Sequence, residues 1–264
     1  MIISHTYKYL FVELPHTGST AISRELREHY DGQKIIRKHA NYLEFLKIAT
    51  PEEKEYFVFS CIRNPLDETV SHYYKFKNNH KGRYTDPNRL EKNGGRVSED
   101  AANFYNWVQA ENPDFRKFMR RLHQLPYDNM SCVAHKQFDY VIRFEDLGAG
   151  FAEALHRMGI EPVRPLPLVN KTEKKGSFLD HYTPDTYKDA KRIFGPFMEK
   201  WDYEFPAEWG AVSVPWWAKT EFNVLGFFRR MYWGHLRGHS NTAVRNLGTT
   251  VKKTVKSQYA SVDD

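Results

Sequence analysis

Residues 57–65 read FVFSCIRNP, and this stretch decides the fold of the chain. Positions 57–62 form an uninterrupted apolar run, which is the pattern of a strand in a parallel sheet covered on both faces. The run ends at Arg63, and a helix through Val70 and Tyr74 follows directly. A buried strand that leads straight into a helix indicates an α/β protein.

The same order of elements recurs on both sides of this stretch. Residues 9–12 predict another buried strand, and a turn at 15–19 leads into a helix from about Thr20. Further expectations are strands at 34–37 and 140–142, a long loop at 78–100, and helices near 42–48, 101–109, 114–123, 151–158 and from Thr183 onward. This alternation predicts a three-layer α/β fold with a central, mainly parallel sheet flanked by helices.

The composition is that of a soluble globular protein. The 264 residues are 41% hydrophobic and 27% charged, and we divide them into one domain at 1–206 and an aromatic, basic C-terminal extension at 207–264. The extension carries eight Lys or Arg against four Asp or Glu, which leaves only +2 of the net charge of +6 on the rest. We therefore expect no nucleic-acid partner. An RNA-binding protein remains an alternative, although no recognition motif supports it.

Two cysteines, Cys61 and Cys132, are too few for a disulfide framework and lack the spacing of metal ligands. Cys61 lies in the apolar strand, so we expect it to be buried. The first residues do not have the pattern of a signal peptide, and no stretch approaches the roughly 20 apolar residues of a membrane span. These observations predict a cytoplasmic protein.

A polar junction follows the first predicted strand. Residues 14–20 read LPHTGST, and ligands of open parallel sheets bind beyond the carboxyl ends of the strands. Gly18 lets the backbone approach an anion closely, while Ser19 and Thr20 add hydroxyl donors. The free N–H groups of the first helical turn complete an anion cradle. The alternative is a tight turn with a Ser or Thr cap.

A second polar segment follows the strand at 57–62. Arg63 can fork onto a phosphate, and Ser71 can present a hydroxyl to the same anion. A simple salt bridge between Arg63 and Asp67 is the alternative. The loop lacks the Lys of a nucleoside-triphosphate loop, and the strands end in Arg63 and Arg143 rather than in a magnesium-binding Asp. Kinase chemistry is therefore disfavoured.

Taken together, these segments resemble the sulfotransferase superfamily, closest to its carbohydrate (Golgi-type) and bacterial branch. Residues 15–20 are similar to the family's 5′-phosphosulfate loop, and residues 63–74 to its 3′-phosphate-binding element. Residues 138–147 resemble its later strand and acidic signature, 170–172 the loop that closes on the nucleotide, and 174–176 a phosphate clamp. The resemblance implies a P-loop-like fold and an enzyme that uses 3′-phosphoadenosine 5′-phosphosulfate (PAPS).

The resemblance also implies which residues bind the nucleotide. The family's usual loop Lys is His16 in this chain, and a neutral imidazole donates only one hydrogen bond. The nucleotide-binding residues implied by the resemblance are His16, Thr17, Gly18, Ser19, Thr20, Ala21, Arg63, Ser71, Lys171, Lys174, Lys175 and Gly176.

An acceptor alcohol needs a general base at neutral pH. His39 is the first candidate, because residues 37–40 resemble the Lys-His-Ala segment of bacterial relatives, and Glu13 at the end of the first strand is the second. An ordinary surface histidine is the alternative for His39. His16 joins the catalytic set, since it would stabilise charge on the leaving phosphate. The scheme requires no metal. The histidines whose positions suggest no metal site include His72, His80 and His123.

The expected activity is transfer of a sulfonate group from PAPS to an acceptor hydroxyl. A saccharide or glycolipid acceptor is implied by the resemblance, and Trp107, Tyr105 and the loop around Tyr84 can either stack on sugar rings or build core. The alternative from a different class is a catalytically silent nucleotide- or glycan-binding protein of the same fold. The replacement of the loop Lys by His16 supports that alternative.

The extension contains a further helix. Between Ala218 and Leu236 the apolar residues recur at steps of three and four, while Arg229 and Arg230 supply positive charge. One interpretation is a helix that packs its aromatic face on the domain or on a partner subunit. The other is an interfacial helix at the inner face of a membrane. The predicted apolar face consists of Phe222, Leu225, Phe228, Tyr232 and Leu236.

Overall fold

A computed structural model describes residues 1–88, 97–130, 138–167, 176–210 and 213–236. In these residues one sheet of five strands has the order β3-β1-β2-β4-β5. The strands are β1 (Ile2–Ser4), β2 (Tyr9–Val12), β3 (Gln33–Lys34), β4 (Phe57–Ile62) and β5 (Tyr140–Arg143).

The centre of the sheet is parallel. Strand β4 pairs with β2 on one side, where Phe59 lies opposite Phe11, and with β5 on the other, where Phe59 lies opposite Tyr140. Strands β1 and β3 extend one edge by antiparallel pairing. The mainly parallel α/β fold is thus confirmed.

Two details of the sheet differ from the sequence analysis. Strand β1 was not predicted, because three residues are too few to show a periodicity. The strand expected at 34–37 was wrong in its extent, since β3 covers only Gln33–Lys34. Ile36 adopts a positive φ of 54°, which takes the chain out of extended geometry.

Helices follow the strands largely where the periodicity predicted them. The sixth helix begins at Leu147, four residues before the expected start at 151. The helices are α1 (Ser19–His29), α2 (Tyr42–Leu46), α3 (Pro65–Lys77), α4 (Glu99–Glu111), α5 (Phe115–Leu122), α6 (Leu147–Arg157), α7 (Pro184–Lys200) and α8 (Trp216–Met231).

The sheet is buried on both faces. Successive side chains of a strand point to opposite faces, so Tyr9 and Phe11 of β2 pack with α1 and α6, while Leu10 and Val12 pack with α2 and the segment before it. All four side chains are fully buried. Cys61 of β4 is also buried, as expected. This two-sided burial gives the three layers of the fold.

A third cluster of buried side chains joins the helices beside the sheet. It combines Val70 of α3, Phe118 of α5 and Phe194 of α7. Trp209 and Phe222, which lie beyond residue 206, belong to the same cluster. The start of the C-terminal extension is therefore packed into this helical core.

Helix α8 buries only part of the predicted face. Its buried residues are Ala218, Phe222 and Gly226, which lie four positions apart and pack towards α7. Phe228, expected on the packed face, is 63% exposed. The reason is steric, since small residues on the buried face let the two helices approach closely. Arg229, expected to supply surface charge, is paired with Asp128 at 3.0 Å.

Candidate active site

The loop between β2 and α1 is held by its own hydroxyl groups. The hydroxyls of Thr17 and Ser19 both donate to the main-chain carbonyl of Leu14, at 3.0 and 2.9 Å. Both side chains are buried, at 0% and 3% exposure. These two hydroxyls therefore fix the shape of the loop. Ser19 was expected to offer its hydroxyl to a ligand, and in this structure that hydroxyl is used within the loop.

Gly18 is the residue that turns the loop into helix α1. It has a φ of 75°, and a Cβ added there would lie 2.7 Å from Cδ2 of Leu147 on α6. Helix α1 then begins at Ser19, and no side chain of the described residues caps it. The N–H groups of Ser19 and Thr20 thus have no side-chain cap in the described part of the chain, and the interpretation of the loop as an anion cradle depends on them. Ala21 lies in this turn, and its N–H bonds to the carbonyl of Gly18 at 3.0 Å.

Arg63, which directly follows β4, contacts both helix α3 and the loop at 14–20. Its Nε and Nη2 donate to Asp67 at 2.9 and 2.6 Å, and its Nη2 also donates to Ser71 Oγ at 2.6 Å. Its Nη1 reaches the carbonyl oxygen of His16 at 3.3 Å, and its guanidinium lies 4.2 Å from the ring centre of Phe144. The salt bridge to Asp67 and the grouping with Ser71 are therefore both present.

His39 lies beside the end of β2 and is oriented by it. Its Nδ1 is 3.0 Å from the main-chain carbonyl oxygen of Glu13. Because a carbonyl only accepts, Nδ1 carries the proton and a neutral ring presents Nε2 as a lone pair. Burial lowers the pKa of His39 from 6.5, against a smaller opposing effect of this hydrogen bond. These are the features of a general base.

Glu13, the second candidate base, is engaged elsewhere. Its carboxylate accepts a hydrogen bond from the amino group of Met1 at 2.8 Å, and the residue is only 4% exposed. The geometry thus favours His39 over Glu13 as the group that meets an acceptor.

His16 occupies the tip of the loop, with a φ of 64°. Although the residue as a whole keeps an exposed edge, its ring is crowded by that of His72, with centroids 4.4 Å apart. Withdrawal of the ring from water lowers the pKa of His16, and the positive charges of Lys75 and Arg83 act in the same direction. The ring is consequently neutral near pH 7, and the loop lacks the fixed charge of a lysine.

A family model described as the sulfotransferase family matches residues 1–195. The chain belongs to this family. No curated protein and no solved structure matched the chain. The match spans the loop at 14–20, the Arg63 element and strand β5, which are the segments on which the resemblance was based. Sulfotransferases of this family bind an acceptor hydroxyl and generally use PAPS.

Some of the expected sulfotransferase site residues lie in parts of the chain that are not described. Lys171, Lys174 and Lys175 fall within residues 168–175, outside the described residues. Gly176 is described and has a φ of 70°, and a Cβ there would meet a carboxylate oxygen of Asp180 at 2.5 Å. The positive φ of Gly176 lets the chain turn directly before residue 177.

The structure places the positively charged side chain of Lys38 beside the loop at 14–20, which the sequence analysis did not predict. The Nζ of Lys38 lies 3.3 Å from the hydroxyl of Thr20 in the first turn of α1. Thr20 accepts this hydrogen bond, so its own O–H stays available as a donor. Lys38 precedes His39 in the sequence, and the turn that brings His39 to β2 also brings Lys38 to the loop at 14–20.

A second missed feature involves helix α3. Glu68 and His72 are one turn apart on α3, and together with His16 they place three ligand atoms within 4.8 Å of one another. This grouping of His72 with His16 and Glu68 was not foreseen in the sequence analysis. The spacing of four between Glu68 and His72 was visible in the sequence, but the approach of His16 comes from the tertiary fold.

The aromatic residues that could either stack on a sugar or build core contact other side chains of the chain. Tyr84 stacks on Phe76 with ring centroids 5.0 Å apart, and on Tyr105 with centroids 4.6 Å apart. Trp107 carries the guanidinium of Arg121 at 4.2 Å from its ring centre. Stacks on both sides of Tyr84 leave it little surface for a saccharide. No described helix is long and apolar enough to cross a bilayer.

Proposed function

We propose that this chain is a PAPS-dependent sulfotransferase that acts on the hydroxyl of a saccharide or glycolipid. The observation that carries the proposal is the meeting of three features at the carboxyl ends of β2 and β4. These are the uncapped start of α1, the Arg63–Ser71 pair and the oriented His39. Family membership supports the transfer of a sulfonate group.

The loop would hold the 5′-phosphosulfate. The first-turn N–H groups of α1 point towards an anion placed at the loop, and the helix dipole favours negative charge there. The hydroxyl of Thr20 in this turn adds a donor, and Lys38 adds charge from the neighbouring segment, with its Nζ 3.3 Å from that hydroxyl. Thr17 and Ser19 keep the loop rigid through the Leu14 carbonyl, so the N–H groups are preorganised.

Arg63 would bind the 3′-phosphate together with Ser71. Since its guanidinium already bonds Asp67, the phosphate must share or displace that carboxylate. A phosphate dianion forms stronger charge-assisted hydrogen bonds with a guanidinium than a neutral acceptor does. The stacking of Arg63 on Phe144 holds the guanidinium plane in place during this exchange.

The transfer itself is an in-line displacement. The acceptor oxygen attacks the sulfur, a new S–O bond forms, and the S–O bond to the 5′-phosphate breaks. Nε2 of His39 takes the acceptor proton, and adenosine 3′,5′-bisphosphate leaves with the bonding electrons on its phosphate oxygen. The loop N–H groups stabilise the charge that develops there.

A catalytically silent binding protein is the second candidate, and one observation favours it. The ring of His16 is held neutral where relatives carry a lysine, which removes a fixed positive charge from the leaving group. A turnover assay with labelled PAPS and a panel of saccharide and glycolipid acceptors separates the two functions. Nucleotide binding without any transfer would favour the silent protein, whereas a sulfated product would establish the enzyme.

A contact with an anionic membrane surface at the cytoplasmic face belongs to the same proposal. Helix α8 is anchored by Ala218, Phe222 and Gly226, so its remaining apolar residues point outward. Such a surface would bring the enzyme to a lipid-linked acceptor. The exposed apolar residues of this segment, called the α8 surface below, are Trp216, Trp217, Val224, Phe227, Phe228, Met231 and Tyr232.

A further inference from the structure

His16, Glu68 and His72 form a compact group at the tip of the phosphosulfate loop. His16 comes from the loop after β2, whereas Glu68 and His72 project from successive turns of α3. Nε2 of His72 is 3.9 Å from Oε1 of Glu68, and the two imidazole rings have centroids 4.4 Å apart. One atom from each of the three side chains lies within 4.8 Å of the other two.

The group contains a buried polar atom that the described part of the chain leaves without a hydrogen bond. Nε2 of His72 is this atom, and the 3.9 Å to Glu68 is too long for a hydrogen bond. An unsatisfied buried nitrogen costs about 1–3 kcal/mol, so it indicates a missing partner. In the tautomer with the proton on Nδ1, Nε2 of His72 offers a lone pair to a cation in the space between the three side chains.

Glu68 is already oriented towards that space. The hydroxyl of Tyr127 donates to its Oε2 at 2.7 Å, which leaves Oε1 on the side of His72. Tyr127 and Glu68 are both buried, at 7% and 4% exposure, so this contact is sheltered from water. An outer partner that fixes a carboxylate in this way is typical of metal sites.

We propose that His16, Glu68 and His72 bind a divalent cation of the zinc type. Two imidazole nitrogens and one carboxylate oxygen are ligands that zinc prefers, and three protein ligands leave a fourth position open to water or a substrate oxygen. Zinc bonds of about 2.0–2.2 Å require the ligand atoms to move closer together than they stand here. The side chain of His16 supplies that movement by rotation, because the residue is exposed, while the backbone of the loop stays in place.

The charged side chains around His16, Glu68 and His72 determine how strongly these three residues can bind a cation. Lys75 and Arg83 face His16 and oppose a cation, whereas burial raises the pKa of Glu68 to about 7, so that it supplies at most one negative charge. Arg63 is also near, but its charge is compensated by Asp67 at 2.6 Å. Two positive charges thus face at most one negative charge without nucleotide, and an anion at the loop favours cation binding by offsetting this excess.

The role of the cation rests on the proposed function. It would place a positive charge beside the phosphosulfate loop at His16, where the resemblance leads one to expect a lysine. A bound cation that polarises a phosphate or sulfate oxygen stabilises the charge that develops on the leaving group. The chain would thus replace a fixed ammonium group by an exchangeable ion.

The binding test uses the full chain, freed of metal by a chelator and titrated with Co²⁺ in the absence of nucleotide. We expect one Co²⁺ per chain with the visible absorption of a low-symmetry site, and displacement of that absorption by Zn²⁺. His16→Asn and His72→Ala each remove the absorption. Asn at position 16 tolerates the positive φ, so this variant folds even if the buried His72→Ala does not.

Two further variants sharpen the test. Tyr127→Phe keeps the ring but frees Oε2 of Glu68, and it lowers the metal affinity by about 10–100-fold. His29→Asn is the matched control, because His29 lies next to Glu25 and Glu28 in the other histidine–carboxylate group, where Arg164 already occupies Glu25 at 2.9 Å. This control keeps the cobalt absorption of the wild type.

The proposal is overturned if the wild-type chain binds no stoichiometric Co²⁺ or Zn²⁺, or if binding survives His16→Asn. Loss of the absorption in His29→Asn also overturns it, because the ion then occupies the other group. Because the anion and the cation should strengthen each other's binding, adenosine 3′,5′-bisphosphate is titrated against both the metal-free and the metal-loaded chain. Failure to bind in both states counts against the sulfotransferase proposal alone.

Discussion

The Nδ1–H of His39 donates to the main-chain carbonyl of Glu13, and this single contact orients the proposed base. The carbonyl belongs to the residue directly after β2, so the imidazole is tied to the rigid sheet although it is carried by a loop. The bond fixes the tautomer and leaves Nε2 facing away from the sheet. Glu13 therefore serves His39 through its backbone, while its side chain binds Met1.

Replacement of His39 should affect turnover more than binding. His39→Asn keeps a residue that tolerates the φ of 59° and removes the base. We expect kcat to fall by about 10²–10⁴-fold, with little change in the affinity for adenosine 3′,5′-bisphosphate. Steady-state kinetics and calorimetry measure the two quantities. A near-normal rate would assign the proton transfer to another group, with Glu13→Gln as the next variant.

The activity should persist into acidic solution. His39 acts as a base only when neutral, and burial lowers its pKa from 6.5. As the pH falls through 6.5, an ordinary histidine gains its proton, whereas His39 remains neutral and kcat is retained. The rate is lost only below the lowered pKa. A pH–rate profile whose acidic limb is centred at or above 6.5 would contradict this assignment.

Arg63 and Asp67 should respond to substitution in opposite ways. Arg63→Ala removes the charge-assisted hydrogen bonds to a 3′-phosphate and should weaken binding of adenosine 3′,5′-bisphosphate by at least about 10–100-fold. Asp67→Asn releases the guanidinium from its carboxylate and should keep or strengthen that affinity. Adenosine 5′-phosphate, which lacks the 3′-phosphate, should bind both variants alike. Equal affinity of wild type and Arg63→Ala for the bisphosphate would refute the role.

Substitution of Gly18 should destabilise the fold more than substitution of Gly159, a second glycine with a positive φ. Gly18 and Gly159 have φ values of 75° and 71°, but only at Gly18 does an added Cβ meet a neighbour, Leu147 at 2.7 Å. Gly159→Ala should cost roughly 1–2 kcal/mol of unfolding free energy from backbone strain alone. Gly18→Ala should cost roughly 1–3 kcal/mol more through overpacking.

Thermal and denaturant unfolding of the two glycine variants measure the difference. Leu147→Ala combined with Gly18→Ala relieves the steric contact but leaves the strain. Equal destabilisation of Gly18→Ala and Gly159→Ala would mean that the loop moves away from α6 without cost.

The α8 surface should bind anionic vesicles. Phe227 and Phe228 are 53% and 63% exposed, and their replacement by Ser removes apolar area without touching the buried face of the helix. We expect the full chain to sediment with anionic vesicles at low salt, and the double variant to do so severalfold less. Val163→Ser, at an equally exposed apolar residue outside α8, is the control. If the full chain stays in the supernatant, the α8 surface does not bind anionic vesicles, and a protein partner becomes the expected ligand of this surface.

Much of the fold follows from local sequence patterns. Strand β4 and helix α3 were predictable because an apolar run and a helical period adjoin at Arg63. The buried face of α8 was not predictable in full. The hydrophobic pattern assigns Phe228 rather than Gly226 to the buried face, whereas close packing against α7 favours the smaller residue. Hydrophobic pattern identifies an element, but close approach of two helices depends on the partner.

The site was predictable as a set of segments and not as a set of contacts. The sequence places Arg63 and Ser71 eight residues apart, which suffices to predict their proximity on a helix start. It does not reveal that Ser19 donates to Leu14, or that His16 meets His72. These contacts join segments that are distant in sequence, and only the tertiary fold decides them.

The turn after β4 is tied to the chain beyond α7. The N–H of Asn64 donates to Glu145 at 2.7 Å, and the hydroxyl of Tyr203 donates to the other oxygen of the same carboxylate at 3.0 Å. Arg143 binds the carbonyl oxygens of Trp201 and Asp202 at 3.0 and 3.1 Å. We therefore expect a force on α8 from a bound surface to reach the turn that presents Arg63. The carboxylate of Glu145, which binds both Tyr203 and Asn64, connects the two. The proposed docking of α8 and the proposed binding of nucleotide by Arg63 are therefore expected to be coupled.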